Sequence, residues 1–198
     1  SSDIQAGYFS HNPAFGFLNH SGMAGVNLNG NTGFTVYFSL RINSENHLTN
    51  DRAGFSMIVI TNDLVGLELS FWENEIWEQT DSPVFTHAQG VNTDTKSQLN
   101  DYALSIFQNS YTLYKNLNPV LEGSLKDYAS NWSNPMGLGS RPYDIPNFLF
   151  FGDDTTSAKA STDLSYIALN LSPVPEPSNS FLLGIAVILL ILQLYYKN

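Results

Sequence analysis

The chain of 198 residues has no cysteine, which excludes thiol catalysis, thiolate metal sites and a disulfide-held scaffold. Positive charge is scarce. Eight Lys and Arg stand against 18 Asp and Glu, for a formal net charge of -10. A field of that sign repels a phosphate backbone, so a nucleic-acid partner is excluded. The body of the chain also lacks any long segment with apolar residues at helical spacing, which argues against a helical or alternating α/β domain. His11, His20, His47 and His87 are not spaced as metal ligands, and no Gly-x-Ser-x-Gly nucleophile context occurs. The Gly/Asn-rich stretch 22–33 lacks both the lysine and the following helix of a phosphate cradle.

Apolar material is plentiful. Hydrophobic residues make up 42% of the chain and aromatic ones 13%, enough to bury a sizeable core in one domain of this length. Its period is two. Phe34, Val36, Phe38, Leu40 and Ile42 alternate with Thr35, Tyr37, Ser39 and Arg41, the pattern of a strand with one buried face. Further strands are expected over 54–60, 66–72, 75–79, 102–107, 111–114, 120–125, 147–151 and 164–171. Turn chemistry separates them, as at Asn29-Gly30-Asn31, Gln108-Asn109 and Asn116-Leu117-Asn118-Pro119. The expected fold is an antiparallel β-sandwich. Its core is expected to contain Phe34, Val36, Phe38, Phe55, Ile58, Leu67, Leu69, Phe71, Leu104, Ile106, Phe148, Phe150 and Ile167. Residues 131–144, rich in Pro, Gly, Ser and Asn, read as a long loop.

The two ends differ from the body. The chain begins Ser1-Ser2-Asp3 with no apolar run behind a basic start, so a signal peptide is expected to be already removed or to lie outside the sequence. Residues 181–196 read FLLGIAVILLILQLYY, followed by Lys197. As a helix this run is roughly 24 Å long, slightly short of a bilayer's hydrocarbon core of about 30 Å. A membrane helix is expected there, with Tyr195, Tyr196 and Lys197 at the interface. Before it, Pro173, Pro175 and Pro177 stiffen residues 172–180 into an extended spacer. The order Val174-Pro175-Glu176-Pro177, hydrophobic helix and basic terminus resembles the PEP-CTERM sorting signal of bacterial envelope proteins. That resemblance implies recognition of the motif by an exosortase, a membrane transpeptidase-like enzyme that removes the helix. It also implies an extracytoplasmic location, in the envelope or the extracellular matrix, with transient anchoring in the inner membrane.

The body has its own resemblance. The order Gly33-Phe34-Thr35, Arg52-Ala53-Gly54-Phe55-Ser56, Leu67-Glu68-Leu69-Ser70-Phe71-Trp72, Phe150-Phe151-Gly152-Asp153-Asp154-Thr155 and Asp163-Leu164-Ser165-Tyr166-Ile167-Ala168-Leu169 is similar to concanavalin A-like and laminin G-like domains. The resemblance implies an all-β antiparallel jelly roll over 1–171, then the Pro-rich spacer over 172–180 and the sorting helix with a short tail over 181–198. Fold-level likeness leaves function to the site, because jelly rolls host lectins, hydrolases and inert spacers alike.

Four candidate sites stand out, each with a plainer alternative. Glu68, Glu73, Glu75 and Glu78 crowd Trp72 and Trp77, and paired carboxylates beside an aromatic platform suit a glycosidase. A turn at Glu73-Asn74 breaks the parity that would put Glu68 on one face with the others, and the uninterrupted alternating acids of jelly-roll endoglucanases are absent. Trp72 and Trp77 could stack on sugars or serve as core residues. Trp132, flanked by Asn131 and Ser133 in the polar loop, is the better candidate for sugar contact. Asp153 and Asp154 follow a strand and Gly152, so they could hold calcium at the sandwich rim or cap backbone amides in an Asx-turn. Together these residues indicate a non-catalytic surface protein, structural or exopolysaccharide-binding. A secreted glycoside hydrolase of jelly-roll fold is the alternative.

Overall fold

The computed structural model describes residues 6–12, 18–19, 25–131 and 142–173. In chain order the strands are β1 (Ala6–Phe9), β2 (His11–Asn12), β3 (Leu18–Asn19), β4 (Phe34–His47), β5 (Ser56–Ile60), β6 (Gly66–Phe71), β7 (Glu75–Asp81) and β8 (Val84–Asn92). They continue with β9 (Asn100–Phe107), β10 (Ser110–Lys115), β11 (Asn118–Ser124), β12 (Phe148–Asp153) and β13 (Ala158–Asn170). One short helix, α1 (Tyr128–Asn131), and a 3-10 turn, Pro142–Asp144, interrupt them. Two antiparallel sheets form a jelly-roll-like sandwich, ordered β1-β12-β5-β6-β7-β8 and β11-β10-β9-β4-β13, with β2 and β3 paired separately. The helix expected over 181–196 and the Pro-Glu-Pro motif lie outside the described residues.

Local chemistry sets the strand boundaries. Gln108 and Asn109 take φ of 51° and 55°, and Asn116 and Leu117 take 49° and 69°. Two successive left-handed residues make the tight turns whose twist suits hairpins, and they join β9 to β10 and β10 to β11. The Asn29 side chain accepts hydrogen bonds from the amides of Asn31 at 2.9 Å and Thr32 at 3.0 Å, holding the turn that leads towards β4.

Phe38 of β4 shows how the sheets meet. Its ring stacks on Tyr102 of the neighbouring strand at 5.0 Å and meets Phe71 and Phe151 of the other sheet edge-on at 6.1 and 5.3 Å. Alternate residues of β4, β5, β6, β9 and β12 fill this layer. Elsewhere Tyr111 of β10 meets Glu78 of β7, β11 touches β8, and β13 touches β12. Six strands therefore lie over five, and β1 is the edge strand beyond β12.

A second apolar layer covers the outer face of the six-stranded sheet. Ile58, Ile60, Phe148 and Phe150 pack there against Tyr128, Tyr143 and Ile145, with Phe9 and Phe85 at the margin. This layer corrects the single core expected from sequence: Ile58, Phe148 and Phe150 are buried, but on the sheet's other side. Tyr143, near the end of the 131–144 segment, is part of this cover. Ile167 is not core; it is 38% exposed. It sits on the edge strand β13, where a register shift between Leu164 and Tyr166 interrupts the alternation. Strand β8 was not expected, since its run Val84-Phe85-Thr86-His87-Ala88-Gln89 has little apolar alternation.

Candidate functional site

The four glutamates of the acidic cluster separate. Glu68 points to the outer face of β6 and is 1% exposed. Its carboxylate accepts hydrogen bonds from the Tyr143 hydroxyl at 2.5 Å and from Gln79 Nε2 at 2.9 Å. The Tyr128 hydroxyl accepts from the Glu68 amide at 3.1 Å and donates to the Gln79 carbonyl at 2.7 Å. Asp154, just beyond β12, is hydrogen-bonded to the Glu68 carboxyl. Burial, reinforced by the charge of Asp154, pushes Glu68 well above the usual carboxylate range, and burial pushes Asp154 up to about 6. Two carboxyls so placed share a proton rather than ionise together.

The other three take different partners. Glu78 lies between the sheets, where its Oε2 accepts from the Tyr111 hydroxyl at 2.6 Å and Oε1 lies 3.2 Å from Lys126 Nζ. Glu73 is exposed to solvent on one side and pairs with Lys96 at 2.6 Å, which holds its carboxyl below the usual range. Glu75 faces His87 at 3.1 Å. The parity break expected at Glu73-Asn74 is realised, with Glu68 and Glu78 on opposite faces of one sheet.

Trp72 and Trp77 belong to a four-ring stack. His47 lies flat on Trp72, with centroids 4.3 Å apart and planes 12° apart. Trp72 meets Trp77 edge-on at 5.4 Å, and Trp77 lies flat on His87 at 4.2 Å and 9°. Trp77 is fully buried, and Trp72 is pinned by its Nε1 bond to the Arg52 carbonyl at 2.9 Å. Trp77 is thus a packing residue, as the plainer reading holds, and Trp72 is half-buried against it. Nothing in the sequence pairs His47 with Trp72, because the contact depends on how β4 passes the end of β6.

Asp153 and Asp154 are brought to the rim of the sandwich but engage different partners. Asp153 Oδ1 accepts from the Thr155 amide at 3.0 Å, closing an Asx-turn, while Asp154 faces Glu68. Among the described residues no group of three or more His, Asp or Glu side chains is arranged to hold a metal. Among the same residues no helix is long and apolar enough to cross a membrane. Trp132, Val174, Pro175, Glu176 and Pro177 lie outside the described residues.

Between β1 and β13 lies an open cleft of about 490 Å³. Tyr8 pairs with Phe151 across the β1–β12 ladder and so points to the inner side of the sheet. On this edge strand it is 67% exposed. Phe55, Phe151 and Leu164 form an apolar floor, and Asp153 and Thr162 stand at the rim. At the cleft's end β13 comes against the segment that leads into β5: a Cβ on Gly54 would lie 1.9 Å from the Lys159 carbonyl carbon. Sequence reasoning missed Tyr8, since its exposure depends on the place of β1 at the edge of its sheet.

Comparison of the sequence with family models and with curated proteins finds no significant match. Several solved structures are similar over part of this chain. Sheep galectin-11, in complex with glycerol, is similar over 84% of this chain and 99% of its own, with 11% identity and a TM-score of 0.45. The carbohydrate-binding module CBM66 from Bacillus subtilis is similar over 70% and 75%, with 8% identity and a TM-score of 0.42. A Trypanosoma rangeli sialidase is similar over 86% of this chain at 14% identity and a TM-score of 0.47. This chain spans only 24% of the sialidase's length.

Proposed function

We propose that this protein is a non-catalytic, extracytoplasmic surface module that binds extracellular polysaccharide and is sorted through its Pro-Glu-Pro tail by an exosortase. One observation carries the non-catalytic reading: every glutamate of the acidic cluster is held by a partner, and Glu68 and Glu78 lie on opposite faces of the sheet. The remaining pair, Glu68 and Asp154, is hydrogen-bonded directly. Glycosidases hold their two carboxyls about 5 to 9.5 Å apart so that a sugar carbon or a water fits between them. Direct contact leaves no such space. Binding is supported by the open cleft, whose mixture of aromatic, apolar and polar lining is of the kind that recognises sugars.

The test incubates the full-length chain with extracellular polysaccharide and measures both co-sedimentation and released reducing sugar. Retention on the polysaccharide without release is expected. Release abolished by Glu68→Gln would replace this reading with the glycoside hydrolase. The sorting part is tested separately with a reporter fused near Ser1, which is expected to be accessible to external protease after outer-membrane permeabilisation. Mass spectrometry is expected to find the mature chain ending near Pro177.

A further inference from the structure

We infer that the cleft beneath β1 is the polysaccharide site and that it takes uncharged pyranose units, with Tyr8 as the stacking platform and Asp153 as the acceptor of sugar hydroxyls; this rests on the polysaccharide-binding reading above. Tyr8 is the one strand aromatic of the cleft whose ring is open to solvent, at 67% exposure. A phenol ring beside an apolar floor matches the C–H face of a pyranose, and its hydroxyl can bond at the sugar's edge. Phe55 and Phe151, almost fully buried beneath, fix the floor. The rim supplies the direction of binding. One oxygen of Asp153 holds the Thr155 amide, while the other makes no hydrogen bond among the described residues. Neither does the Thr162 hydroxyl. A half-buried carboxylate with a spare oxygen accepts from hydroxyl donors, and bonds to an ionised acceptor are the stronger kind.

Charge narrows the ligand class. Among the described residues lining the cleft, Asp153 is the only charged one, and the whole chain carries a net charge of -10. A uronate or sulfated sugar would bring a second negative charge against a carboxylate with no cation to offset it. The size also fits, since about 490 Å³ falls within the roughly 300–1,000 Å³ of small-ligand sites. Exchange of ligand needs no movement of the fold, because the cleft is open to solvent.

Affinity electrophoresis of the full chain through gels containing dextran, laminarin or alginate tests the inference. Retardation by a neutral glucan and none by alginate is expected. Tyr8→Ala is expected to weaken retardation about tenfold, as loss of one aromatic stacking contact does, whereas Tyr8→Phe keeps it. Asp153→Asn, and Thr162→Phe which fills the cleft, are expected to weaken it with the melting temperature of the parent retained. If a neutral glucan retards the parent, Tyr8→Ala and Thr162→Phe equally, the cleft is not the site, while the polysaccharide-binding reading survives. Stronger retardation by alginate overturns the uncharged ligand. Absence of retardation by every polysaccharide overturns both.

Discussion

Tyr143 and Glu68 are 75 residues apart in sequence, yet the tyrosine hydroxyl donates to the buried carboxylate at 2.5 Å. With Tyr128, Gln79 and Asp154 around it, Glu68 has hydrogen-bond donors but no lysine or arginine among the groups that act on it. Asp81 and Glu78 add negative charge near Tyr128, and Asp153 adds it near Asp154. The outer layer of the sheet is thus closed over a proton shared by two acids.

Stability is therefore expected to fall as pH rises. Both carboxyls are raised in the folded state, Asp154 from 3.8 to about 6. A group raised by folding contributes stability that is fully present below its unfolded value and lost as pH rises through the folded one. For Asp154 that window runs from about pH 4 to about pH 6, and Glu68 extends it upward. Thermal melts from pH 4 to pH 8 are expected to show a declining midpoint, and Asp154→Asn is expected to flatten the decline.

The inter-sheet layer is most sensitive at Phe38, which touches three rings. Phe38→Ala is expected to destabilise the domain by about 3 to 5 kcal/mol through the cavity it leaves. Ile167→Ala, at a position 38% exposed, is expected to cost less than about 1 kcal/mol. Denaturant unfolding of the two variants checks both figures.

Gly54 is a test of how closely β13 approaches the segment before β5. Any Cβ there meets the Lys159 backbone at 1.9 Å, so Gly54→Ala must push the two sheets apart at the cleft's end. A loss of about 1 to 3 kcal/mol is expected from such overpacking. Gly25, whose Cβ would meet nothing within 4 Å, lies where no neighbour is crowded, although its φ of 79° favours glycine.

Calcium is tested by melts in chelator and in millimolar calcium. Because Asp153 holds the Thr155 amide and Asp154 holds Glu68, the two midpoints are expected to coincide. A rise of the midpoint in calcium that Asp153→Asn and Asp154→Asn together abolish would instead place an ion on this rim.

Strand alternation carried most of the fold. The nine expected strands all occur, since period two is written locally and needs no knowledge of partners. What stayed hidden depends on contacts distant in sequence. Strand β8 is polar because it is the edge strand of its sheet and no more than half-buried along its length. The second apolar layer could not be read because Phe148 and Phe150 look the same as core residues until Tyr128 and Tyr143 are placed over them. In the candidate site the turn at Asp153 was legible from Asx chemistry, whereas the openness of Tyr8 follows from the edge position of β1, which no local pattern records.

Strand β13 pairs with β4 from Ala158–His47 to Asn170–Thr35. Past its end the Ser172 carbonyl accepts from Thr35 Oγ1 at 2.8 Å, and a Cβ on Gly33 would lie 3.0 Å from Pro173. Traction entering through residue 173 along the strand axis thus meets a whole ladder in shear. Its bonds stretch together rather than opening one after another, so a pull applied at residue 173 is borne by the domain's longest strand pair.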